Sequence, residues 1–254
     1  MDIYLDNNIL VSIENGDFSL QDIIGLLSAK KPRFYYSSAH IFEVEHFRGN
    51  ATMSAEGLRL NRFNTIRTIF ANNYLYINDT DRAITYFKED PQVVYDRITL
   101  SSIGIPAMKN LVNLVSKEQK EAIRNQFGIE SVLLNNLDSD AALEYLQGKM
   151  QASGKQQQLT EMIEHSVSLH PGNKSFGLYN RFAAMFEMLD LFGYWRDKET
   201  DHSNYARLWD AFHSFFASYC DYFISDDKRT RYKARLTYDV YHKHTKVLSS
   251  KGLL

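Results

Sequence analysis

The sequence predicts a mixed α/β protein: a three-layer α/β/α domain with a mostly parallel central sheet, interrupted by an all-helical insertion. Three observations lead there. From residue 1 to about 80, short strand-patterned runs alternate with helical ones, the order that builds a parallel sheet with right-handed crossovers. From about 82 to about 200, helical segments follow one another with no convincing strand between them. After 200 the alternation returns. The predicted domain is therefore assembled from residues 1–80 and 200–254, with residues 81–199 as the insertion packed on it.

The first strand is Asp2 to Asp6, and a short helix over Asn7 to Ile13 places Asp6 beside free backbone N–H groups before Gly16 stops it. A second helical run, Leu20 to Ala29, is closed by Lys30-Lys31-Pro32, and Arg33 to Tyr36 is the next strand. Ser37 and Ser38 suit the N-cap of a helix over Ala39 to Phe47, with Glu43 about one turn in. A charged helix over Ser54 to Asn72 leads to a third strand, Tyr74 to Ile77.

In the insertion, Pro91 opens one helix and Pro106 precedes another over Ala107 to Val115. Lys117 to Phe127 stops at Gly128, and Ser139 to Met150 stops before Ser153-Gly154. Leu159 to Leu169 follows, and Phe176 to Phe192 carries the broadest apolar stripe, ended by Gly193. Lys155 to Gln158 and His170 to Asn173 read as turns. The α/β part resumes with a helix over His202 to Tyr219, a strand over Asp221 to Ser225, a basic helix over Arg229 to Tyr241 and a last strand over Thr245 to Ser249.

Composition narrows the classes. A chain of 254 residues that is 44% hydrophobic buries a core without staples, and 16 Tyr with 16 Phe spread along it read as packing. A formal charge of −2 announces no globally basic surface, so contact with nucleic acid needs a local patch. The lone Cys220, inside an apparent core strand, excludes an internal disulfide framework and fits a reducing compartment. With no export signal at the start and no run near the roughly 18 apolar residues that span a bilayer, a cytoplasmic protein without membrane contact is expected.

Four carboxylates stand where a parallel sheet brings strand ends together: Asp6 after the first strand, Glu43 in the helix after the second, Asp210 in the penultimate helix and Asp227 after the fourth strand. Like charges gathered this way need a cation, and hard oxygen donors suit Mg²⁺ or Mn²⁺. Asp226 reads as solvated. Lys228, Arg229, Arg231, Lys233 and Arg235 form a basic run next to Asp227, either a solvated helix face or a surface that neutralises a nucleic-acid backbone. His213 lies three residues after Asp210, on the same helix face.

Leu5-Asp6-Asn7-Asn8 resembles the Asp-x-Asn opening of PIN-domain nucleases. Ser37 to Glu43 is similar to their second motif, a Glu behind a serine-capped helix start. Trp209-Asp210-Ala211 is similar to their third acidic position, and Ser225-Asp226-Asp227 to their Ser/Thr-x-Asp after a strand. The resemblance covers the two ends of the chain, about half its length, and leaves the helical middle unmatched. It implies metal-dependent hydrolysis of phosphodiesters, in RNA or single-stranded DNA, with Asp6, Glu43, Asp210 and Asp227 as catalytic and metal-holding residues and one or two ions bound. Asn8, Ser225 and His213 would orient ligands or water, and Lys228, Arg229, Arg231 and Lys233 would contact the nucleic acid. It also opens a homodimer and an antitoxin-like protein partner. A phosphohydrolase with an aspartate nucleophile is disfavoured because Asn8 stands where its second Asp is needed. The alternative outside catalysis is a PIN-like module that binds a protein through the helical insertion.

Overall fold

The structure is a computed structural model and describes residues 1–28, 30–49, 52–78, 83–101, 116–154, 158–169, 177–196 and 201–252. The chain divides into two compact units, one of residues 1–104, 216–227 and 245–254, the other of residues 105–215 and 228–244.

The first unit is mixed α/β. In chain order it holds β1 (Asp2–Leu5), α1 (Asn7–Asn15), α2 (Leu20–Leu26), β2 (Arg33–Ser37), α3 (Ser38–Glu45), α4 (Ala55–Phe70), β3 (Asn73–Ile77), β4 (Ile84–Lys88) and α5 (Pro91–Ser101), then β5 (Tyr222–Ile224) and β6 (Lys246–Leu248). The strands form one six-stranded sheet in the order β4-β3-β2-β1-β5-β6, parallel except for β4. Ile3, Tyr4 and Leu5 are all fully buried, as a central parallel strand covered on both faces requires. From β1 the chain crosses to β2 on one side, whereas β5 and β6 build the other. The carboxyl end of β1 is thus the point where strand order reverses, the place such sheets use for binding.

Local chemistry sets the helix ends around that point. Asp6 caps α1, Ser37 caps α3 in a capping box with His40, and Ser54 caps α4. Gly16 closes α1 in the left-handed conformation, φ 78°.

The sequence reading missed β4. Ile84–Lys88 pairs antiparallel with β3, in register from Asn73 opposite Lys88 to Ile77 opposite Ile84. It is an edge strand with Tyr86 and Phe87 about half exposed, so it lacks the buried run by which an inner strand announces itself. β4 and α5 belong to the unit that holds the sheet, not to the helical one as the 81–199 boundary supposes. The helix predicted over Ala107 to Val115 and the turn at His170 to Asn173 lie outside the described residues.

The second unit holds α6 (Lys117–Phe127), α7 (Ser131–Leu134), α8 (Ser139–Ala152), α9 (Leu159–Leu169), α10 (Leu178–Phe192), most of α11 (Asp201–Ala217) and α12 (Lys228–Val240). Its core gathers Leu146, Met150, Ile163, Met185, Leu189 and Phe192 with Leu236 of α12, a helix that the sequence reading assigned to the α/β part. The apolar stripe of α10 is packing, as predicted. Among the described residues no helix is long and apolar enough to cross a membrane.

Gly193 ends α10 at φ 84°, and a Cβ there would run into the Ser131 hydroxyl and come within 3.1 Å of Ser131 Cβ and 3.2 Å of Arg124 Cδ. Gly193→Ala therefore combines left-handed strain with overpacking and is expected to destabilise the helical unit by about 2 to 4 kcal/mol, read as a lower urea midpoint. Burial pushes the Cys220 thiol well up, with the Asp2 and Asp221 charges adding to it. Cys220 is expected to resist a thiol reagent in the native protein and to react once denaturant opens the chain; rapid native labelling would contradict its place in the core.

Candidate functional site

Asp6 follows β1 and is 3% exposed. Its backbone N–H donates to Ile224 O at 2.8 Å, which ties the end of β1 to the end of β5. The Oδ1 atom accepts from Asn7 N at 2.7 Å. The Oδ2 atom accepts from Asn8 Nδ2 at 2.7 Å and from Ser225 Oγ at 2.5 Å. Burying a carboxylate disfavours its charged form, and three donors offset that cost.

One hydroxyl organises the neighbouring turn. Ser225 Oγ donates to Asp6 and accepts from Asn8 Nδ2 at 3.0 Å and from Asp227 N at 3.2 Å, so its single proton and both lone pairs are used. Asn8 Oδ1 accepts from Asp226 N at 3.0 Å, which fixes the orientation of the Asn8 amide. Asn8 and Ser225 both donate to Asp6 Oδ2, and Ser225 brings the backbone of Asp227 beside that carboxylate.

Asp226 is not merely solvated as predicted. Its two oxygens accept from Ser250 N at 2.8 Å and Ser250 Oγ at 2.7 Å, which anchors the turn after β5 to the segment after β6.

Glu43 enters through a second relay. Asn7 Nδ2 donates to Glu43 Oε2, and Arg62 Nη1 donates to Asn7 Oδ1. Arg62, 2% exposed, forks onto Glu14 with Nε–Oε1 at 2.7 Å and Nη2–Oε2 at 2.9 Å. Successive residues on a helix point about 100° apart, so Asn7 serves Glu43 while Asn8 serves Asp6.

His40, Asn7 and Arg62 were not predicted as site residues. His40 is fully buried: Ser37 N donates to its Nδ1 at 3.2 Å, so the proton sits on Nε2, which donates to Leu5 O at 2.8 Å. It joins the start of α3 to the last residue of β1. The spacing Ser37-x-x-His40 was the available signal, because a polar residue three after an N-cap closes a capping box. Beneath lies Tyr4, its hydroxyl 2.6 Å from Ser37 Oγ. Burial pushes the Tyr4 phenol well up, the Ser37 hydrogen bond pulls it down, and the charges of Asp6 and Glu43 push it further up.

The remaining predicted residues lie in the other unit. Asp210 and His213 are on α11, where His213 is fully buried. Of the basic run on α12, Lys228 is exposed and Arg229 half-buried, but Arg231 and Lys233 are buried, Lys233 with its Nζ 3.8 Å from Asp190. The prediction of a basic surface is corrected for those two: a carboxylate 43 positions earlier in the chain takes Lys233 inside. The first unit holds Asp6, Glu43 and Asp227; the second holds Asp210 and the basic helix. Among the described residues no three His, Cys, Asp or Glu side chains stand as one metal-holding group. The acidic side chains of the first unit, Asp6, Glu43 and Asp227, offer carboxylate oxygens, the donor type that a hard cation takes.

Comparison with protein-family models, with curated proteins and with solved structures finds no match to the chain.

Glu14→Gln leaves the Arg62 charge buried with neutral partners and is expected to cost about 3 to 5 kcal/mol. Arg62→Met is expected to cost less, because Glu14, with 18% of its side chain exposed, then turns to water. Urea unfolding of the two variants checks the order, and the reverse order would refute it.

Proposed function

We propose that the protein is a divalent-metal-dependent nuclease of the PIN-like kind, acting on phosphodiester bonds of RNA or single-stranded DNA in the cytoplasm. The observation that carries the reading is the Asp6 clamp. A buried carboxylate at the carboxyl end of the central strand is held by Asn7 N, Asn8 and Ser225, and Ser225 also holds the turn of Asp227. Asp6 also caps α1, and the two further side-chain donors from Asn8 and Ser225 go beyond what a cap needs.

In this reading Asp6, Glu43 and Asp227 of the sheet-bearing unit hold Mg²⁺ or Mn²⁺. Such an ion supplies an activated water and shields the charge that grows on the phosphate. The chain's own groups do the positioning. Ser225 and Asn8 leave Asp6 one orientation, and the Arg62–Asn7 pair turns Glu43 toward the same strand end. Asp226, held by Ser250, keeps out of the ligand set. Lys228, which is exposed, and Arg229, which is half-buried, would contact the phosphate backbone in this reading.

A second reading is favoured by the absence, among the described residues, of three gathered acids. In it the sheet-bearing unit keeps its acidic residues but acts as a protein-binding module through the helical unit, with an antitoxin-like protein or a second copy as partner.

Incubation of mixed RNA and single-stranded DNA with the full chain separates the two. Cleavage is expected with Mn²⁺, none with EDTA, and a loss of at least about a hundredfold in Asp6→Asn, the scale of removing a metal's contribution. Equal activity in all three overturns the metal-nuclease reading, and no cleavage under any of them favours the binding module.

A further inference from the structure

The sheet of the first unit ends in a strand whose outer side is open. β4 stands last in the order β4-β3-β2-β1-β5-β6 and pairs with β3 alone. At the two ends of that ladder Asn78 N donates to Ala83 O and Glu89 N to Asn72 O, both at 2.9 Å. Hydrogen-bonded pairs recur at every second residue of an antiparallel ladder. Thr85 and Phe87 therefore spend their N–H and C=O groups on β3, while Ile84, Tyr86 and Lys88 turn theirs to the outer edge. None of the described residues bonds to those outer groups.

Proteins usually guard such an edge with proline, a bulge or charge, lysine above all. β4 has no proline, an unbroken register with β3, and Lys88 as its single charged residue. Lys88 does not stand guard, because its Nζ turns back to donate to Ala71 O at 2.7 Å, at the end of α4. Tyr86 and Phe87, adjacent and so on opposite faces, are 48% and 49% exposed. A strand laid along the edge covers both rings. The residue order shows which strand fits. In an antiparallel pairing of β4 with its own copy about a two-fold axis at Tyr86, Ile84 falls opposite the partner's Lys88, Thr85 opposite the partner's Phe87 and Tyr86 opposite the partner's Tyr86. Outer groups then meet outer groups throughout. A slip of one residue sets them against inward groups, and a slip of two leaves one end of β4 without a mate. The centred register also brings ring to ring and a β-branched residue to a ring, both favourable cross-strand pairs, and opposes no like charges.

We propose that β4 joins two copies of this chain edge to edge, so that their sheets continue into one another across a two-fold axis at Tyr86. The interface is isologous: the same strand serves both sides, and the pairing closes at two copies instead of growing into a fibre. The inference stands apart from the nuclease reading, since none of the acids named for the metal takes part. One strand pair is small against the roughly 1,200–2,000 Å² of a standard interface, so the dimer is expected to dissociate on dilution.

Sedimentation velocity of the full chain over a dilution series reads the equilibrium. The wild type is expected to pass from monomer to dimer as concentration rises, and Tyr86→Phe to follow it. Tyr86→Lys sets two ammonium groups opposite each other at the axis and is expected to dissociate about tenfold more readily, with part of the loss recovered in high salt. Both variants lose the bond from the Tyr86 hydroxyl to Tyr219 O, so that bond does not account for a difference between them. Cysteine reads the register. Oxidised Tyr86→Cys is expected to give a disulfide-linked dimer, because Cα atoms of a hydrogen-bonded pair stand about 5.5 Å apart. Phe87→Cys is expected to give none, since the two copies of that position are diagonal neighbours about 7 to 8 Å apart; the buried Cys220 contributes to neither. Should circular dichroism show Tyr86→Lys unfolded, the crosslink decides. A monomer at every concentration, a folded Tyr86→Lys that dimerises like the wild type, or crosslinking of Phe87→Cys in place of Tyr86→Cys overturns the proposal.

Discussion

The hydrogen bond from Ser225 to Asp6 joins positions 219 residues apart, and the sheet-bearing unit depends on what it holds together. A carboxylate as buried as Asp6 is tolerable only while its donors are in place, and one of them comes from the far end of the chain. Charge-assisted hydrogen bonds of this kind each contribute about 1.5 to 3 kcal/mol, enough to make the β1–β5 junction specific as well as stable. Loop-closure entropy explains why so long an intervening segment is tolerated: each doubling of a loop adds only about 0.6 kcal/mol. Once β5 is seated beside β1, a whole helical unit can occupy the interval at little further cost to the sheet.

Around that bond the polar groups divide the work without redundancy. Asn8 spends its amide nitrogen on Asp6 and Ser225 and its oxygen on the Asp226 backbone; Asn7 spends its own on Glu43 and Arg62. Neither amide could be turned round without setting donor against donor or acceptor against acceptor. His40 adds the third tie, from α3 to the Leu5 carbonyl. Two acids from different elements are thereby aimed from strands and helix starts, which hold a side chain more tightly than free loops do.

What could be read from the sequence was what is decided locally. Asp6 as a cap, Ser37 as a cap, and Gly16, Gly128 and Gly193 as helix stops depend on a few neighbouring residues, and each is found in that role. What could not be read depends on partners far along the chain. Asp226 passes for a solvated acid until Ser250 lies against it, and β4 passes for part of a helical stretch until β3 supplies its ladder. The basic run from Lys228 resembles a solvated face because charge count alone hides its periodicity. Thr230, Lys233, Ala234, Leu236 and Thr237 are buried among the charges, so the helix turns much of its surface inward.

The fate of Lys233 shows why a buried charge in this chain says more about arrangement than about stability. Asp190 of α10, 4% exposed, meets Lys120 of α6 at 2.9 Å, Arg207 of α11 at 3.1 Å and Lys233 of α12 at 3.8 Å, and Arg207 also forks onto Glu187. Replacing such a set by apolar residues of the same volume often leaves a protein equally stable, whereas removing one partner leaves an uncompensated buried charge. The four helices α6, α10, α11 and α12 each contribute a member of this set. Lys233, in the second turn of α12, is the member this helix supplies.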